Sequence, residues 1–68
     1  MWVILQGQFR MVEIVEEVEV YESIIQSRVN NRWTRIAKYK TPERAKEVLA
    51  QIFRVLQAGG KAFQMPEE

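Results

Sequence analysis

Only one stretch of this 68-residue chain carries a helix signature, and that limits the fold more than any other feature. Thr41 offers a side-chain acceptor at the N-cap, Pro42 suits the first helical position, and Glu43 complements the positive end of the dipole. Ala45, Val48, Leu49, Ile52, Phe53 and Leu56 then recur every three or four residues, predicting one continuous apolar stripe. Gly59-Gly60 supplies the stop. Everything else reads as strand or turn, so one rod must cover whatever sheet the remainder builds.

The strand readings follow from apolar runs and their breaks. Trp2 to Leu5 is apolar at every position, as in a strand buried on both sides, and Gly7 ends it. Phe9 to Ile14 is a second short strand, and Val15-Glu16-Glu17 turns the chain. Val18 to Val29 reads as one long strand, Asn30-Asn31 as a two-residue hairpin turn, and Arg32 to Lys40 as the returning partner. Ala62 to Met65 is a terminal edge strand stopped by Pro66. The expected architecture is a single α+β domain over residues 1–68. It has an antiparallel sheet of four or five strands, with one amphipathic helix packed on one face.

Counting back from Asn30-Asn31 pairs Val29 with Arg32, Ile25 with Ile36 and Glu22 with Tyr39. One ribbon face then carries Tyr21, Ile25, Val29 and Ile36, and the other carries Val20, Ile24, Trp33, Ala37 and Tyr39. Both are apolar, and one helix covers one face. Two readings resolve this: a β-bulge that switches the parity, or a second copy seated on Tyr21, Ile25, Val29 and Ile36. The second suits a domain this small, which lacks the cysteines and histidines that would provide disulfides or common metal sites.

Charge is segregated along the chain. Residues 1–27 hold five glutamates against Arg10, whereas residues 28–61 hold nine bases against Glu43 and Glu47. Arg28, Arg32, Arg35, Lys38 and Lys40 lie close to Trp33 and Tyr39, which is the mixture that sheet-based modules use on single-stranded nucleic acid. The simple register opposes this reading by turning Trp33 and Tyr39 away from Arg32, Lys38 and Lys40. The bases can instead pair with the acidic strand, Glu19 and Glu22 against Lys38 and Lys40. A net charge of +1 is also low for a dedicated nucleic-acid binder.

Enzyme chemistry has little to stand on. The sequence has no histidine or cysteine for a nucleophile pair and no glycine-rich phosphate loop, and Glu13, Glu16 and Glu17 are explained as an exposed acidic turn. No cofactor is expected. The apolar start, Met1 to Leu5, is too short for a signal peptide or a membrane span, so a cytoplasmic protein is expected.

The run Tyr39-Lys40-Thr41-Pro42-Glu43-Arg44-Ala45-Lys46-Glu47-Val48-Leu49, with Ala62-Phe63-Gln64-Met65-Pro66 after it, resembles a group of short uncharacterised β-then-α proteins. These are carried by Gram-positive bacteria and their phages or mobile elements. The likeness covers the C-terminal half well and the first thirty residues in outline. It implies a small strands-then-helix protein and brings no catalytic residue with it. The leading expectation is therefore a non-enzymatic module for self-association, as a homodimer or larger, or for binding another protein. Nucleic-acid binding through the basic hairpin strand is the alternative, and no membrane partner is expected.

Overall fold

A computed structural model describes residues 1–7, 10–14 and 17–68. Its element order is β1 (Trp2–Ile4), β2 (Met11–Glu13), β3 (Val18–Tyr21), β4 (Ile24–Val29), β5 (Arg32–Lys38), α1 (Pro42–Gln57) and β6 (Ala62–Gln64). The fold is α+β, but the strands divide into two sheets of three, ordered β2-β1-β6 and β3-β4-β5, in place of the single sheet expected. In the first sheet β1 is central, antiparallel to β2 and parallel to β6.

The helix begins as its sequence requires. Thr41 holds an extended backbone and its Oγ1 accepts from Arg44 N at 3.1 Å, with Pro42 following. It ends where Gly59, at φ 80°, donates to Leu56 O and Gly60 donates to Val55 O. A Cβ on Gly60 would overlap Val55, so this close approach needs glycine. The apolar stripe is less continuous in use than in sequence. Ala45, Val48 and Ile52 are buried, while Phe53 and Leu56 remain 60% and 47% exposed.

The long strand expected over Val18–Val29 is two strands folded back on each other. Tyr21 pairs with Ile24 across Glu22-Ser23, and Glu22 takes the left-handed backbone at φ 56°. Asn30 and Asn31 form the next turn with φ 51° and 67°, the two positive values that a two-residue hairpin turn needs. Val29 pairs with Arg32 as expected. Between Ile25 and Gln26 the register then shifts, so Gln26 pairs with Arg35 but Ile25 pairs with Ala37. Ile36 is the extra residue, and the expected Ile25–Ile36 and Glu22–Tyr39 pairings do not form. The bulge sends both Ile36 and Ala37 into the core, at 2% and 3% exposure.

That core is shared by all three layers. Val3, Leu5 and Val12 come from the first sheet, Ile25, Ile36 and Ala37 from the second, and Ala45, Val48 and Ile52 from the helix, with Tyr39 and Met65 closing it. The first strand is therefore buried on one side only: Val3 is fully enclosed whereas Trp2 is 44% exposed. Phe9, Val15 and Glu16 lie outside the described residues.

Gln6 joins the parts. Its backbone N–H donates to Ile36 O at 3.3 Å, and its Oε1 accepts from Lys38 N at 2.8 Å, which covers the open edge of β5. Its Nε2 donates to Pro66 O at 3.1 Å and Glu67 O at 2.7 Å, tying down the C-terminal segment. Gln6→Ala should therefore lower stability by about 2 kcal/mol, at roughly 1 kcal/mol for each net hydrogen bond less solvent compensation. Urea midpoints would check this, with Gln57→Ala on the helix surface changing them little.

Candidate nucleic-acid interface

Cross-strand partners project to the same side of a sheet, so the register fixes both faces of β3-β4-β5. Val20, Ile25 and Ala37 form an inward row, as do Val18, Ser27 and Thr34. Ser27 is fully buried, and its hydroxyl donates to Glu17 O at 2.9 Å. The outward rows are Tyr21, Ile24 and Lys38, then Glu19, Gln26 and Arg35, and then Arg28 with Trp33. The helix contacts β3 and β4 from the inner side, so this outer face is open.

The bulge decides its chemistry. An unbroken register would put Lys38 on the side opposite Trp33; one extra residue moves it across. Arg28, Arg35 and Lys38 now share a face with Trp33 and Tyr21, which are 44% and 58% exposed. The two aromatics stand at opposite corners, about 16 Å apart by ordinary strand spacing and rise. The Arg28 guanidinium lies over the Trp33 ring at 5.8 Å from its centroid and reaches Glu17 at 3.5 Å. Its buried Nε has no hydrogen-bond partner among the described residues.

The other expected site residues separate. Ile25 and Ile36 are inside the core, where a second copy cannot reach them, and Tyr21 faces the opposite way. Val29 is half-buried beside the hairpin turn. The four thus form no common surface, and the premise of a ribbon greasy on both sides is corrected by the bulge. Arg32, paired with Val29, belongs to the inward-facing set at the exposed hairpin end, and Lys40 lies beyond β5. The expected pairing of Glu19 and Glu22 with Lys38 and Lys40 is absent, because β4 lies between β3 and β5. Glu19 instead accepts from Gln26 at 3.0 Å.

Trp33 and Tyr39 also part company. Trp33 is on the surface, whereas Tyr39 is 5% exposed and its hydroxyl donates to Pro66 O at 2.7 Å. Burial pushes the Tyr39 hydroxyl above its ordinary pKa, partly opposed by the Arg44 guanidinium, which sits 5.9 Å from the ring centroid.

Two surface concavities were not anticipated. One, of about 540 Å³, is lined by Ser23, Lys38, Tyr39, Lys40, Arg44, Glu67 and Glu68. Its basic residues were visible in sequence, but nothing local revealed that the C-terminal segment folds beside them. The other is an apolar groove of about 420 Å³ along the helix, lined chiefly by Val18, Leu49, Phe53 and Leu56. Its signal was the width of the helix stripe, which exceeds what one small sheet covers. Among the described residues no group of three or more His, Cys, Asp or Glu side chains is placed to hold a metal, and no helix is long and apolar enough to cross a membrane. Comparison with family models, curated proteins and solved structures returned no match.

A raised folded-state pKa means the folded chain keeps the Tyr39 proton where the unfolded chain, titrating near 10.0, gives it up. This contribution to stability is complete below pH 10 and falls as pH rises toward the higher folded value. Tyr39→Phe should cost about 1 kcal/mol at neutral pH through the lost hydrogen bond. It should also flatten the decline in stability above pH 10, read as the dependence of the urea midpoint on pH in the two proteins.

Proposed function

We propose that this protein is a non-enzymatic binding module and that the outer face of β3-β4-β5 holds single-stranded nucleic acid. The observation that carries this reading is the bulge at Ile36, which brings Lys38 onto the face that already holds Arg28, Arg35 and two exposed aromatics. Tyr21 and the side of Trp33 that Arg28 leaves open offer flat surfaces for unpaired nucleobases. Arg28, Arg35 and Lys38 contact phosphates between them, Arg28 exchanging Glu17 for one of these. Stacking needs bases free of a duplex, so single strands are preferred. Glu19 on the same face and a net charge of +1 keep the affinity modest, and so few phosphate contacts keep the dependence on salt shallow.

Three phosphate contacts on a single strand give a slope of log K against log salt of about −2. Fluorescence anisotropy with a mixed-sequence oligonucleotide should show that slope, and Lys38→Ala should make it shallower by about 0.7. Trp33→Ala should weaken binding by about 1–3 kcal/mol per lost stacked base while leaving the slope unchanged. No binding at low salt, or full binding by Trp33→Ala, would remove the reading.

A second reading, self-association, is favoured by a different observation. Phe53 at 60% and Leu56 at 47% exposure sit in the apolar groove with Leu49 and Val18. This surface is on the helix side, opposite the basic sheet face, so a dimer formed there leaves the sheet free. Light scattering should then find a concentration-dependent dimer that Phe53→Glu converts to monomer with its circular dichroism unchanged and its thermal unfolding no longer dependent on concentration. A wild-type chain that stays monomeric at millimolar concentration rules this out.

A further inference from the structure

Resting on the sheet-face reading, we infer that the concavity between the end of β5 and the start of α1 is a phosphomonoester site, which receives the terminal phosphate of the bound strand. Lys38, Lys40 and Arg44 converge on it, with the Ser23 residue at its wall. Lys38 is shared, because it also belongs to the outward row with Tyr21 and Ile24. A strand crossing the face from Trp33 toward Tyr21 therefore arrives at this opening.

Charge and shape favour a terminal phosphate over an internal one. A phosphomonoester carries about −1.5 to −2 at pH 7 and presents three acceptor oxygens, whereas an internal diester carries −1 and presents two. Three cations around one concavity match the former. Among the described residues Lys38 and Lys40 make no ion pair, and the Arg44 Nη1 lies 3.4 Å from Glu47. Arg44 already uses its fork on an acceptor: Nε and Nη2 donate to the main-chain oxygen of Glu68 at 3.0 and 2.7 Å. Glu67 and Glu68 line the same space and offset part of its positive charge, so an incoming phosphate has to move them aside to reach Lys38, Lys40 and Arg44.

The test uses the whole chain with one oligonucleotide in three forms, unphosphorylated, 5′-phosphorylated and 3′-phosphorylated, and with inorganic phosphate as a separate probe. One phosphorylated form should bind about tenfold tighter than the unphosphorylated one, the gain from one net charge-assisted hydrogen bond. Lys40→Ala, which lies off the sheet face, should abolish that preference and leave the unphosphorylated affinity unchanged. Equal affinities for all three forms overturn the inference while the sheet-face reading stands. If no oligonucleotide binds, the sheet-face reading falls. Inorganic phosphate then decides: amide shifts confined to Lys38, Lys40 and Arg44 support the site, and their absence overturns it.

Discussion

One extra residue in β5 governs how this protein divides inside from outside. Ile36 lets two consecutive side chains enter the core, and every residue of β5 after it changes face. Without it, the apolar pair Ile36 and Ala37 could not both be buried, and Lys38 would project toward the helix side of the sheet. A lysine there would face a steep desolvation cost. The bulge thus supplies core volume and outward charge in a single step.

A bulge on an edge strand also leaves backbone groups without partners, and Gln6 compensates for that. Its main chain and side chain together satisfy Ile36 O and Lys38 N, so the open edge of β5 is covered by the segment that follows β1. This contact holds the two sheets together, since β1 belongs to the first and β5 to the second. Side chains from both small sheets and from the helix share one core. Val3, Leu5 and Val12 add a wall that a lone helix could not provide. A chain this short without cysteine or histidine needs that third wall.

What was legible in the sequence was local. Thr41-Pro42 fixes the helix start through a hydrogen bond three residues long, and Asn30-Asn31 fixes a turn through its tolerance of positive φ. Glu22 was opaque because glutamate carries no turn preference; its left-handed backbone is imposed by the strands on either side. The pairing of β6 with β1 joins residues about sixty positions apart, which no window of sequence reports. The binding face failed to show for the same reason. Its bases were all visible, but Lys38 joins Trp33 only through a register shift that accompanies burial of Ile25, Ile36 and Ala37.

The segregation of charge along the chain acquires a structural meaning from the strand order. With β4 between β3 and β5, the glutamate of β3 cannot neutralise the bases of β5 across a ladder. Glu19 is held by Gln26 and Glu17 by Arg28, and Arg35 and Lys38 are left facing solvent. Strand order therefore preserves a basic edge on a molecule of nearly neutral total charge. The residues that stabilise the fold point inward from this sheet and those proposed to bind point outward, so the outer face can be altered without opening the core.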